Sequence, residues 1–460
     1  MAEVTAENVC SVLKDALEIH SLNRDEIDYL YRYYKGEQPI WSRKKEVREE
    51  IKNIIVENRA NEIVSFKTGY QVGEPIQYVS RSADERVCEE LKTFNEFIFS
   101  EDKAARDKEI CDWFFIAGTS LRMILPDETG EEDHSPFEIF TLDPRDSFVV
   151  YSTALGNKQL MSVKYVHLKK ADITVYSVYT DKWYFEIENG DKIVYSAPHI
   201  LRGNPIIEYP ANNARLGAFE IVIPILDCIN NVSSNRIDAI EQFIQALLVL
   251  KGVDIDKDDF KALKELGGLK LPIDGDAKYL VQELNQMQTQ TLIDYMYSTV
   301  LSICGMPNRN GGTSTSDTGK AVILRDGWSS AEARAKDVET MFKLSEKKFL
   351  RIAINISNIL KGTHLKPSDI EPRFTRRNHE NITEKSQVLI SMLNNDKIHP
   401  KLAFEYCGMF IDPELAYSMS MDYRAEQEKK AQELLKKQNK EEDDAGGSNQ
   451  DNSGDSQEGE

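Results

Sequence analysis

Cysteine is scarce and unpatterned. The 460-residue chain has six, at Cys10, Cys88, Cys111, Cys228, Cys304 and Cys407, with no CxxC pair and no regular spacing. That excludes a disulfide-framed scaffold and a cysteine zinc site, and reads as reduced thiols in a cytoplasmic compartment. No apolar run reaches the roughly 18 residues of a membrane span. The N-terminus carries Glu3 and Glu7 where a signal peptide has a basic region. The expected location is the cytosol of the producing cell, left only by lysis. A basic surplus is missing too: 57 Lys and Arg stand against 77 Asp and Glu, a formal net charge of -20. Holding nucleic acid by phosphate neutralisation needs the opposite balance, whereas letting it slide past does not.

Catalytic and cofactor motifs are absent as well. No HExxH, GxSxG or GxGxxG occurs, and His379-Glu380 lacks the second His of a zinc helix. Gly319-Lys320 follows a Gly/Ser/Thr-rich stretch. Yet Ser314 stands where a phosphate loop needs its first Gly, and Ala321 where it needs Ser or Thr for magnesium. Asp254, Asp256, Asp258 and Asp259 start like a calcium loop, but Asp259 occupies the sixth position, which requires Gly. These residues read as a solvated acidic turn. No catalytic residue, metal or cofactor is expected.

What the chain does have is length along one helix. Apolar residues recur in steps of three and four through Ala321, Leu324, Trp328, Ala331, Ala335, Val338, Phe342, Phe349, Ile352, Ile356 and Ile359, interrupted only by Ser345. This spacing predicts one helix from Lys320 to Leu360, roughly 60 Å at 1.5 Å per residue. Such a helix is too long for one small domain, so its seam needs other long elements, in this chain or in neighbouring copies. Gly327 beside Trp328 falls inside it, where Gly costs about 1 kcal/mol relative to Ala; chance tolerance, a kink and a close approach of another backbone are equal readings of it.

Before that helix stands the loop Met306-Pro307-Asn308-Arg309-Asn310-Gly311-Gly312-Thr313-Ser314-Thr315-Ser316-Asp317-Thr318-Gly319. It exceeds ordinary helix–helix connections, and loops of that length are usually functional or disordered. Its small hydroxyl and amide side chains can touch phosphates while adding little ionic grip.

The remaining pattern is α+β. Helices are expected up to Lys35, over Arg59 to Tyr70, Asp84 to Phe99 and Asp102 to Ile116, with Gly36 and Gly118 as stops. Short strands fall at Ile76 to Val79 and Ser120 to Leu125. From Phe137 to Tyr209 the period becomes two, with an Asn189-Gly190 hairpin turn, predicting one antiparallel meander of about six strands. Helices follow at Ile225 to Phe243 and Leu284 to Ile303, around a compact unit with a helix at Lys257 to Leu266 and strands near Leu269 to Leu271 and Tyr279 to Val281. A strand at Ile370 to Phe374, short helices at Thr383 to Leu393 and Lys401 to Cys407, and a charged helix from Asp412 to Lys437 complete the pattern. Beyond Asn439 only Ala445 is apolar, and disorder is expected.

This order resembles the portal, or head-to-tail connector, proteins of tailed bacteriophages, in the branch of long-tailed phages of Gram-positive hosts. The residues that carry the resemblance are Tyr33-Tyr34-Lys35-Gly36 with Gln38 and Ile40; Asn58 with Ile63-Val64 and Lys67; and Gly69-Tyr70-Gln71-Val72-Gly73-Glu74-Pro75-Ile76. Ala117-Gly118-Thr119-Ser120, Leu250-Lys251-Gly252 and the loop into Gly319-Lys320-Ala321 also match. The resemblance implies a non-enzymatic homo-oligomeric ring of about twelve copies. Residues 1–224 would be the wing, 225–244 and 284–304 the stem helices, and 245–283 the clip. Residues 305–319 would be the tunnel loop, with Asn308 to Gly319 facing double-stranded DNA. Residues 320–361 would be a long helix kinked at Gly327 and Trp328, 362–378 a strand returning to the wing, 379–438 the crown and 439–460 an acidic tail. Implied partners are the terminase large subunit, head-completion or adaptor proteins, and the major capsid and scaffolding proteins, with no membrane. Two other readings compete: a nucleic-acid packaging enzyme, which would need a phosphate loop or carboxylate cluster, and a cytosolic coiled-coil scaffold built on the long seam.

Overall fold

In a computed structural model of the chain, the described residues are 3–45, 49–82, 84–127, 134–244, 247–251, 276–280, 286–308, 327–376, 382–410 and 412–446. The chain divides into two compact units, residues 1–377 and 378–460.

The first unit opens with α1 (Val9–Lys35), which Gly36 ends in a left-handed conformation (φ 97°) that accepts no β-carbon without strain. Its two apolar sets serve different cores. Val9 and Leu13 pack with Met161, Val163, Val178, Phe185 and Ile187 of a sheet. Ile27, Leu30 and Tyr33 join the main core instead. α2 (Arg59–Val72), β1 (Gln77–Ser80), α3 (Glu85–Ser100) and α4 (Lys103–Ala117) follow. The Asn58 side chain caps α2 by accepting from Asn61 N, and Asp84 caps α3 by accepting from Arg86 N.

The period-two stretch does not form one meander. β2 (Thr119–Pro126) lies between β3 (Phe137–Leu142) and β9 (Ile206–Pro210) in a three-stranded sheet. A separate five-stranded meander holds β4 (Ser147–Tyr151), β5 (Gln159–Leu168), β6 (Ile173–Tyr179), β7 (Trp183–Glu188) and β8 (Lys192–Pro198) in sequence order. The expected single meander is therefore corrected at both ends. The physical reason is visible in β9, where Ile206, Ile207, Glu208 and Tyr209 are all buried, so the strand is covered on both faces. Asn189 and Gly190 turn β7 into β8 with φ of 51° and 76°, the pair of positive angles that this hairpin turn needs.

α5 (Ile223–Ile244) leads to β10 (Leu247–Lys251), which pairs antiparallel with β11 (Asp276–Leu280) in the register Leu247 opposite Leu280. The expected helix at Lys257 to Leu266 and strand at Leu269 to Leu271 lie outside the described residues. α6 (Gln286–Cys304) returns along α5 in the opposite direction: Arg236 Nε donates to Gln286 Oε1 at 2.6 Å near one end, and Cys304 Sγ approaches Ala218 O at 3.6 Å near the other. α7 (Trp328–Leu360) then crosses the main core, and β12 (Ile370–Arg373) pairs antiparallel with β1.

The second unit contains α8 (Ile382–Leu393), α9 (Pro400–Tyr406) and α10 (Pro413–Gly446). α10 runs past the expected limit at Lys437, through Lys440-Glu441-Glu442, residue types that lose little side-chain freedom in a helix. Among the described residues no helix is long and apolar enough to cross a membrane.

Candidate functional site

Of the loop residues expected to face DNA, Asn308 is described; Arg309, Asn310, Gly311, Gly312, Thr313, Ser314, Thr315, Ser316, Asp317, Thr318 and Gly319 lie outside the described residues. The structure instead shows how both feet of segment 309–326 are held. At the first foot, Met306 N donates to Leu301 O at 2.8 Å and Gly305 N to Ser302 O at 3.2 Å, the paired bonds that close a helix C-terminus around a left-handed residue. Gly305 has φ 65°, and a β-carbon there would stand 2.8 Å from Cγ of Arg334 on α7. Both geometry and space demand glycine. Met306 is buried, and the Asn308 amide reaches back to Ser298 Oγ at 3.4 Å.

The second foot is Gly327, with φ 83°, immediately before α7. A β-carbon on it would lie 3.9 Å from Cα of Pro307, so the two feet stand side by side. Trp328 clamps this foot: its ring lies 6.1 Å from both Phe66 and Tyr70, which stack on each other at 5.7 Å. The Tyr70 hydroxyl donates to Glu332 Oε2 at 2.9 Å, and Arg376 Nη1 donates to Glu332 Oε1 at 3.1 Å. Left-handed backbone at Gly327 breaks the regular helix expected from Lys320, and α7 begins at Trp328. The stretch of the expected kinked helix before Gly327, residues 320–326, lies outside the described residues.

Behind this frame α7 is tied to the body by charge. Ser345, the one break in the apolar seam, is buried and donates to Glu208 O at 2.7 Å. Its neighbour Glu346 is fully buried. Glu346 accepts from Lys103 Nζ at 2.9 Å, Arg122 Nη1 at 3.2 Å, the Tyr209 hydroxyl at 2.8 Å and the Tyr78 hydroxyl at 2.5 Å. Asp107 completes the quartet, 2.8 Å from Lys103 Nζ and bonded to Arg122 Nη2. Burial alone would raise the Glu346 carboxyl, but Lys103 and Arg122 outweigh it and hold the group well below the ordinary carboxylate range. The four charges cancel. Sequence reading missed this cluster; its signal was the interruption at Ser345-Glu346 and an Arg inside an apolar strand.

A groove of about 940 Å³ runs between α2, α5 and α6 and ends at Asn308. Its wall holds Arg59, whose guanidinium lies 4.1 Å from the Tyr297 ring centre and donates to Glu57 and Glu62 at 3.0 Å each. The Tyr297 hydroxyl donates to Glu62 Oε1 at 2.6 Å. Among the described residues no cluster of His, Cys, Asp and Glu has the arrangement of a metal site. Gly305 to Asn308 and Gly327 thus stand together at the end of the α5–α6 helix pair.

The model of the family described as phage portal protein, SPP1 Gp6-like, matches residues 13–445. The portal protein of Bacillus phage SPP1 is 22% identical over 388 residues, covering 76% of this chain and 72% of that protein. Among solved structures, a chain from the neck of an empty GTA particle computed with C6 symmetry covers 81% of this chain and 96% of its own, with a TM-score of 0.45 at 11% identity.

Proposed function

This chain belongs to the SPP1 Gp6-like family of phage portal proteins, and from that premise we propose that it forms the ring at one vertex of a phage capsid through which double-stranded DNA enters and leaves. The family match from residue 13 to residue 445 carries this reading, because it spans the helical start, the sheets, the stem pair and the last helix together. Residues 1–224 with 362–378 act as the wing, and α5 and α6 as the stem. Residues 245–283 act as the clip that meets the terminase large subunit during packaging and head-completion proteins afterwards. Residues 305–319 act as the tunnel loop and 379–438 as the crown.

The physics of the chain supports these roles. A net charge of -20 disfavours adhesion of a polyanion to the channel wall. A segment whose two feet are fixed by glycine geometry and a Trp clamp, while it carries hydroxyl and amide groups, suits repeated light contacts with a moving duplex. The ring is structural; energy for packaging comes from the motor docked on it, and its own chain supplies a wall and a loop. The native partners beyond DNA are copies of itself, the major capsid and scaffolding proteins, and the adaptor proteins.

The test is end-on electron microscopy of the purified full chain. Closed rings of about twelve copies are expected. A well-folded monomer or dimer at micromolar concentration, in conditions where the capsid assembles, would overturn the proposal.

A further inference from the structure

α6 carries one charged residue, Asp294, in nineteen positions, in a chain where 29% of residues are charged. Its buried side, including Ile293, Val300 and Cys304, joins the main core. A second apolar set is left uncovered: Leu292, Tyr295 and Ile303 are 47%, 70% and 37% exposed, with Thr299 between the last two. Steps of three, four and four place these residues in one stripe. The groove described above takes Gln290, Ile293, Asp294, Tyr297 and Leu301 from the same helix. At 3.6 residues per turn the stripe and the groove face lie about 180° apart around α6.

A ridge and a groove on opposite sides of one helix are the two halves of a head-to-tail contact. We infer that the α6 stripe of one copy seats in the α2–α5–α6 groove of the next, resting on the ring reading above and naming the surface that makes the ring. Charge supports this occupant. The groove lining holds Glu57, Glu62 and Asp294 against Arg59 and Arg236, a surplus of one negative charge. That lining disfavours a polyanion and the acidic remainder of the chain. The ridge brings no charge; it brings methyl groups and the hydroxyl of Tyr295, a group that can donate to a carboxylate. Depletion of charge around an exposed aromatic is the composition of an interface centre.

The inference is tested with two variants of the full chain whose altered residues are exposed, so that each keeps its fold by circular dichroism. The ridge variant carries Leu292→Glu and Tyr295→Glu; the groove variant carries Ser65→Glu and Ile237→Glu. Native mass spectrometry reads assembly of each alone and of an equimolar mixture. Wild type is expected to form rings, and each variant alone to associate at least about tenfold more weakly. The mixture is expected to form a one-to-one pair that grows no further, since only one sound ridge meets one sound groove. Rings from either variant alone would overturn the contact while leaving the ring reading intact. A mixture that fails to pair would overturn head-to-tail seating, and a monomeric wild type would sink the ring reading itself. Should a variant unfold, a chain with Tyr295→Cys, Ile237→Cys and Cys228→Ser decides instead. Oxidation is expected to give a ladder of whole-chain multiples, and cross-links confined to single chains would overturn the inference.

Discussion

The underside of α7 and the outer side of α6 are both helix faces, and they are finished in opposite ways. α7 buries a full charge at Glu346 and satisfies it within the chain, from Lys103, Arg122, Tyr78 and Tyr209. α6 leaves Leu292 and Tyr295 47% and 70% exposed. A buried ion pair without its partner is destabilising, so every copy must complete that cluster as it folds. An exposed apolar stripe is tolerable alone and gains only when covered. The molecule thus separates what must be settled within one chain from what is left to assembly.

The comparison breaks most sharply at Glu346. Glu346→Ala leaves Lys103 and Arg122 buried with only Asp107 between them, and a loss of about 3–5 kcal/mol is expected in chemical denaturation. Tyr295→Ala at the ridge is expected to change the stability of the unassembled chain by no more than about 0.5 kcal/mol. A comparable loss at both sites would erase the distinction. Acid sharpens it further. The Glu346 carboxyl is depressed in the folded chain to about 2, so its contribution is complete above the unfolded value of 4.5 and disappears as pH falls toward 2. Unfolding free energy measured across that interval is expected to fall in wild type. It is expected to fall less steeply with Glu346→Gln, which has no carboxyl at that position to titrate.

Smaller effects separate backbone conformation from crowding at the loop foot. Gly305 and Gly362 have nearly equal φ, 65° and 68°, but a β-carbon meets Arg334 at the first and nothing within 4 Å at the second. Gly362→Ala is expected to cost about 1–2 kcal/mol from conformation alone, and Gly305→Ala about 1 kcal/mol more. Thermal denaturation in an Arg334→Ala background should remove that difference. A smaller change of opposite sign is expected at Gly69 in α2, where φ is ordinary and an added β-carbon meets nothing; Gly69→Ala should stabilise by about 0.5–1 kcal/mol.

Much of this design could be read along the chain. Helix stops at Gly36 and Gly118, the hairpin at Asn189-Gly190 and the strand from Ile370 all depend on local chemistry, and they stand where their residues put them. The division of the strands into two sheets was hidden, because pairing β2 with β3 and β9 is a long-range event that period two does not encode. The sequence of β9 held a hint in its adjacent buried Ile206 and Ile207, which fit a strand covered on both faces. At Gly327 the apolar spacing runs straight across a residue of φ 83°, because periodicity is blind to the sign of φ. The quartet around Glu346 was illegible for a related reason. Its members are up to 243 residues apart, from Lys103 to Glu346, and only folding makes a charge in a core acceptable. For the loop, residues 309–326 lie outside the described residues, and the structure gives the residues on either side, Gly305 to Asn308 and Gly327.

Hydrogen exchange of the full-length chain below and above its assembly concentration tests this account most directly. Amides of 342–356 in α7 are expected to be equally protected in both states, while those of 286–304 in α6 gain protection only on assembly. Equal protection of α6 in both states, with α7 responding instead, would contradict it.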